Sequence, residues 1–136
     1  WRNKNMEKSV EVIAAAIILN NNKDKILLIK RKDKLWGDSW SIPGGHVEFG
    51  EKIIDSLKRE LKEELDLYII SSEFFDLEEI ILKNKHMISF DYLVIANENI
   101  EINDEIDSAE WIEFNKLPNV DHKLSNQILN KLKKII

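Results

Sequence analysis

Cysteine is absent from this 136-residue chain, so neither a disulfide framework nor a thiolate site can form. That suits a reducing cytoplasm. No apolar run approaches the roughly 18 residues that a membrane-spanning helix requires, and no signal-peptide pattern opens the sequence. The expected setting is therefore cytoplasmic, with no membrane partner. Proline and glycine are scarce, at two and four residues, and neither an internal repeat nor a low-complexity linker is visible. A basic face is also missing: 20 Lys and Arg stand against 25 Asp and Glu, for a formal charge of −5. A non-specific binder of nucleic-acid polymers needs the opposite balance, so none is expected as a partner. The length fits one domain at residues 9–136, able to bury a core without disulfides or structural metal. Residues 1–8 are polar and aperiodic and are expected to fray, with Met6 a candidate native start.

What the chain does have is concentrated between Gly44 and Leu67, a glycine loop feeding an acidic helix. Glu60, Glu63 and Glu64 stand at i, i+3 and i+4, which places three carboxylates on one helical face within about one turn. Such pairs repel by roughly 0.2–0.5 kcal/mol each when exposed, and a helix selected only for stability would interleave lysines. A hard divalent cation resolves the conflict. Mg²⁺ takes oxygen ligands, keeps several waters and is usually held by a few carboxylates together with substrate phosphates; Mn²⁺ is a possible substitute.

The opposite flank is apolar, with Ile54, Leu57, Leu61 and Leu65 forming a stripe suited to burial against a sheet. Upstream, Pro43-Gly44-Gly45 allows unusual backbone angles and close approach to a metal or phosphate. Glu48 and Glu51 add acid where the helix dipole favours it. An acidic amphipathic helix alone is more often a solvated face than a metal site, but the PGG turn and the spaced Glu51 and Arg59 reverse that balance. Arginine is rare: three of the 20 basic residues are Arg, so Arg59 points to a need for a planar, bidentate fork.

Elsewhere the pattern is mostly strand. Val10 to Leu19 reads as a buried strand and Lys25 to Arg31 as a second, the pair forming a hairpin across the Asn20–Asp24 turn. A loop at 33–39 leads to a short strand at Trp40–Ile42. After the acidic helix, Tyr68–Leu82, with a break near Asp76–Glu79, and His86–Ala96 predict a long antiparallel hairpin. Residues 97–107 read as an acidic loop with a little strand at Ile100–Ile102, Ala109–Phe114 as a last strand, and Asp121–Ile136 as a terminal amphipathic helix.

The central stretch resembles the box of the Nudix hydrolase family: a Gly, five residues, a Glu, seven residues, then Arg-Glu-aliphatic-x-Glu-Glu-x-Gly-aliphatic. Gly45, Glu51, Arg59, Glu60, Leu61, Glu63, Glu64 and Leu67 occupy the required positions, and Asp66 stands where the family has Gly. A left-handed helix cap is expected there, which Asp tolerates better than most residues. The element order resembles the family's α/β/α sandwich, with a mixed curved sheet between the box helix and a C-terminal helix. Glu110-Trp111-Ile112 followed by Leu117-Pro118 resembles its usual ending.

The resemblance implies water attack on a phosphorus of a nucleoside diphosphate linked to another group. It gives Glu60, Glu63 and Glu64 as metal ligands with the Gly45 carbonyl, Arg59 paired with Glu51 to steady them, and one carboxylate as base. It also implies a loop Glu six residues before the closing Trp, which is Glu105 here; Glu101, Asp104, Asp107 and Glu110 crowd the same segment. The first-choice substrate is a (deoxy)nucleoside triphosphate cleaved to monophosphate and pyrophosphate. ADP-ribose, a nucleotide sugar, a dinucleoside polyphosphate, or a non-catalytic nucleotide-binding module are the alternatives. A monomer or homodimer is expected.

Arg31, Trp36, His46, Phe49 and Asp91 are the candidate substrate-binding residues. Of the aromatics, Trp36, Trp40, Phe49, Phe74, Phe75 and Tyr92 could stack a base, although aromatics in a sheet protein are usually core. His86 and His122 read as surface or packing residues. Asp91 lies inside an apolar strand and either lines a pocket or marks a solvent face.

Overall fold

The computed structural model describes residues 8–136. The expected fraying of the N-terminus and the candidate start at Met6 fall on residues 1–7 and lie outside the described residues. Strands β1 (Val10–Ile18), β2 (Lys25–Arg31) and β3 (Gly44–His46) precede helix α1 (Ile53–Leu65). Strands β4 (Ile69–Leu82), β5 (Lys85–Ala96) and β6 (Ile106–Glu113), a short 3₁₀ helix (Phe114–Asn119) and helix α2 (Asn126–Leu132) complete the chain.

The first two strands do not form the expected hairpin. β1 has both edges occupied, by β3 antiparallel and by β5 parallel, in a sheet of order β3-β1-β5-β4. β2 turns away to pair antiparallel with β6 in a second sheet, and Leu19–Ile26 is the isolated bridge left between the two. The turn itself forms as expected: Asn20 Oδ1 accepts the backbone N–H groups of Asp24 and Lys25. The reason for the split is burial. Alternate faces of β1 and β2 enter two different cores, which two strands confined to one hairpin with a solvent face would not do.

Ala14, Ala16, Ile18, Leu27, Ile29 and Val94 pack against Leu57, Leu61 and Leu65 of α1. Ile17, Leu19, Ile26, Leu28 and Phe75 pack against Ile128 and Leu132 of α2. The result is the α/β/α sandwich that the resemblance implies, with mixed strand directions. Fully burying one such Leu or Ile contributes about 1.5–3 kcal/mol, so both helices are fixed by their apolar faces.

Several boundaries differ from the sequence reading. Trp40–Ile42 makes isolated bridges to His122 and Ile29, and the strand lies instead at Gly44–His46, because the glycines permit close pairing with β1. No strand forms at Ile100–Ile102, where the loop is tied to α1 by Glu101 N–H to the Leu65 carbonyl and Asn103 N–H to the Glu64 carbonyl. β6 begins at Ile106, earlier than expected. α2 is shorter than expected, capped by Ser125 Oγ accepting the Ile128 N–H. The long β4–β5 hairpin forms with an irregularity between Phe74 and Asp76, just ahead of the break that the sequence predicts. Asp66 does take the left-handed conformation (φ 55°, ψ 35°) and donates its N–H to the Lys62 carbonyl.

Candidate active site

Two glycines let β3 slide between β1 and α1. A Cβ at Gly44 would meet the Ala14 carbonyl oxygen and come within 2.7 Å of Ala15 Cα, so only a hydrogen fits. At Gly45 it would fall 2.6 and 2.7 Å from the two carboxylate oxygens of Glu60. The space that a side chain would fill is occupied by that carboxylate. This is the physical content of the glycine pair: it admits the acidic face of α1 to the backbone of β3.

Arg59 organises the exposed side of that face. Its Nε and Nη2 fork onto the two oxygens of Glu51 at 2.8 and 3.0 Å, its Nη1 reaches Glu60 at 2.9 Å and Glu63 at 3.4 Å, and Nη2 also donates to the His46 carbonyl at 3.2 Å. The guanidinium holds Glu51 below the usual carboxylate range. A lysine could not make the paired bonds to Glu51 and still reach two further carboxylates.

Glu64 lies on the inner side of the helix and is fully buried. Arg31 from β2 donates Nη1 to Glu64 Oε2 at 3.1 Å and to the Gly44 carbonyl at 3.2 Å, while its Nε holds Asp33 at 3.0 Å. Burial nevertheless pushes the Glu64 carboxyl up to about 8, and the charges of Glu60 and Glu105 add to the rise. Glu60 is raised mainly by burial, with Arg59 opposing and Glu63 and Glu105 reinforcing. Glu105 stands at the end of the loop before β6; it is exposed, and its N–H bonds Asn103 Oδ1.

Among the described residues, no group of three acids or imidazoles forms a ready-made metal cage. The carboxylates are engaged by Arg59 and Arg31 instead. The donor set still fits a hard divalent cation: it is all oxygen, Glu64 Oε1 is buried without a hydrogen-bond partner, and Glu60 lies against the Gly45 backbone. A cation that keeps waters and shares its coordination with substrate phosphates needs only a few protein ligands, not a complete cage.

Beside this face opens a cavity of about 610 Å³, on the α2 side of the larger sheet. Arg31, Trp36, His46 and Asp91 line it, together with Gly44 and Gly45. Phe49 does not; it is fully exposed on the loop before α1. His46 is held by Glu11 at 2.8 Å. Trp40 and Phe75 belong to the second core, with Lys30 Nζ 4.8 Å above the Trp40 ring, and Phe74 packs at the surface with Phe90 and Tyr92. His86 pairs with Glu79, and His122 Nδ1 accepts the Leu124 N–H.

Among the cavity residues that sequence reasoning did not single out are Ser41, Glu78 and Ser89. The available signal was the Ser89-x-Asp91 alternation within an apolar strand, which puts two polar side chains on one face.

A family model described as NUDIX domain matches residues 10–132. The m7GpppN-mRNA hydrolase of Saccharomyces cerevisiae is 30% identical over 138 residues, covering 93% of this chain but 14% of that protein. The chain thus spans a small part of that relative's length. The 8-oxo-dGTP diphosphatase of Haemophilus influenzae is 28% identical over 131 residues, covering 93% of this chain and 96% of that one. The MutT NUDIX hydrolase structure from Burkholderia pseudomallei superimposes with a TM-score of 0.79 at 23% identity, over 95% of this chain and all of that one, which shows a shared fold.

Proposed function

The chain belongs to the NUDIX domain family, and we propose that it hydrolyses a (deoxy)nucleoside triphosphate to the monophosphate and pyrophosphate. The observation that carries this reading is the acidic face of α1 packed against the side-chain-free backbone at Gly45, with Arg59 forked onto Glu51. The near full-length match to a relative named as an 8-oxo-dGTP diphosphatase supports the triphosphate reading, and a relative named as an ADP-ribose pyrophosphatase, 32% identical over 111 residues, keeps ADP-ribose as the alternative.

In this reading Glu60, Glu63 and Glu64, with the Gly45 carbonyl and Glu105, hold a divalent cation, Mg²⁺ or alternatively Mn²⁺. The cation supplies charge neutralisation at the phosphate oxygens and a lower pKa for water. Water adds to phosphorus, the anhydride P–O bond breaks, pyrophosphate leaves, and one proton passes to a carboxylate of the set. Arg59 keeps Glu51, Glu60 and Glu63 in register throughout, which matters because phosphoryl transfer depends on alignment more than on covalent chemistry.

The test is pyrophosphate release from a nucleotide panel with Mg²⁺ and with excess chelator. Glu63→Gln or Glu64→Gln is expected to lower turnover by at least about a hundredfold with the fold intact. Full activity of these variants, or in chelator, overturns the metal assignment. Glu105→Gln is compared with the amide or Ala variants of Glu101, Asp104, Asp107 and Glu110; loss at a neighbour instead of Glu105 reassigns the loop ligand.

A further inference from the structure

Helix α1 covers only part of its side of the larger sheet. Leu57, Leu61 and Leu65 pack over Ala14, Ala16, Ile18 and Val94, and the strand rows beyond them continue outward. The register sets Ala16 in a row with Tyr92 and Phe74, Ala14 with Phe90 and Leu77, and Val12 with Ile88 and Glu79. These side chains share the α1 side of the sheet, because Ala14 and Ala16 do. Val10, His86 and Ile81 form the outermost row. On this stretch Phe74 is 56% exposed, Ile81 69% and Val10 52%, and Val12 and Leu77 are exposed as well. Ile88, Phe90 and Tyr92 lie half-buried between them.

With about 150–250 Å² for a whole aromatic side chain and somewhat less for an aliphatic one, these exposures amount to on the order of 600 Å² of contiguous apolar surface. That is the upper end of the roughly 300–600 Å² of a monomer's largest apolar patch. With a polar rim it reaches the approximately 800 Å² that one partner contributes to a standard interface.

The make-up of the patch selects its occupant. Its polar side chains, Glu79 and His86, pair with each other at 2.7 Å, so it carries no charge pattern that repels its own image. A two-fold axis sets a patch against itself, which suits neutral apolar side chains and penalises like charges. The central rings are already in place: Phe74 lies 6.3 Å from Phe90 and 6.0 Å, edge-on, from Tyr92. Docking then costs little rotamer freedom. The adjoining edge of β4 is blocked along its middle, since Lys131 and Gln127 of α2 take the Phe75 and Leu77 carbonyls. The sheet face remains for association, and strand addition at that edge does not.

We propose that this uncovered face docks a second copy of the chain, sheet against sheet about a two-fold axis along the strands, with Phe74, Leu77 and Phe90 at its centre. Each α1 then flanks the β4 edge of the other copy. Glu60 packs at the β3 edge, at the far side of the sheet from β4, so docking leaves the acidic face of α1 open. The assignment is independent of which anhydride the site cleaves.

The experiment is size-exclusion chromatography with light scattering on the full chain over a micromolar concentration series, beside Phe74→Glu and Leu77→Glu. The wild type is expected at twice the chain mass and each variant at the single-chain mass, with circular dichroism unchanged because both side chains are exposed. The chain has no cysteine, so Leu77→Cys introduces a sole thiol and locates the interface without a charged substitution. Under mild oxidation it should form a linked pair at least about tenfold faster than Asn115→Cys, which is exposed on the 3₁₀ helix. A wild type of single-chain mass throughout the series overturns the proposal. So does a dimer that survives both Glu substitutions, or equal cross-linking from the two thiol positions. Single-chain mass with co-sedimentation on phosphatidylcholine vesicles overturns it in favour of a lipid surface.

Discussion

Arg31 on β2 and Glu64 on α1, 33 positions apart in sequence, meet at 3.1 Å, with the carboxylate fully buried. The same guanidinium nitrogen also holds the Gly44 carbonyl, so one side chain ties the second sheet, the glycine strand and the box helix together. Arg31 therefore has a structural duty besides its place in the cavity wall.

Arg31→Met should leave the Glu64 carboxyl and the Gly44 carbonyl without their donor. Removing one partner of a buried pair typically costs about 3 kcal/mol or more. Urea denaturation of the metal-free protein is the measurement, and unchanged stability would show that the pair holds nothing together.

Gly45→Ala places a methyl group on top of the Glu60 carboxylate. The acid must turn away or β3 must shift, at an overpacking cost of about 1–3 kcal/mol. Turnover is expected to fall at least about tenfold, since a misplaced ligating group loses alignment. A variant with wild-type kcat would mean that Glu60 is free to move without consequence.

Asp66→Gly acts at a left-handed cap, where glycine carries no steric penalty. It loses the exposed ion pair with Lys62, a small term at the surface. The expected outcome is neutral to stabilising, up to about 1 kcal/mol. A clear drop in melting temperature would assign Asp66 a further role.

Asp91 gives a pH dependence with a definite sign. Its carboxyl is raised in the folded protein, first by burial and then by Glu78 and Asp76, with Ser89 opposing. The folded state thus holds a proton that the unfolded chain has released above the ordinary carboxylate value. The stability contribution is complete at pH below that value and declines as pH rises through neutrality toward the folded value. Asp91→Asn removes the titration, so thermal melts from pH 5 to 8.5 should show a flatter profile for the variant. Parallel profiles would place the proton elsewhere.

The terminal helix and the first two strands show where sequence reading is limited. Leu124 to Ile136 has helical periodicity, yet α2 starts only at Asn126, because Trp40 pairs with His122 and keeps the preceding chain extended. The strands β1 and β2 are legible as strands from their β-branched runs, but not their partners. An apolar strand buried on both faces carries no alternation that would fix its neighbour.

The sequence by itself determined the acidic face of α1, its apolar stripe, the Arg59–Glu51 spacing and the left-handed cap at Asp66. The face and the stripe follow from the 3.6-residue period, while the pairing of Arg59 with Glu51 and the cap at Asp66 were legible only through the resemblance of the box to its family. Tertiary structure alone decided that Arg31 pairs with Glu64, that Phe49 faces solvent, and that Ser41, Glu78, Ser89 and Asp91 share one cavity. Glu78 on β4 meets Ser89 and Asp91 because β4 pairs with β5 in the larger sheet, while Arg31 reaches Glu64 from β2 of the second sheet, so both meetings depend on pairings that no local stretch of sequence expresses.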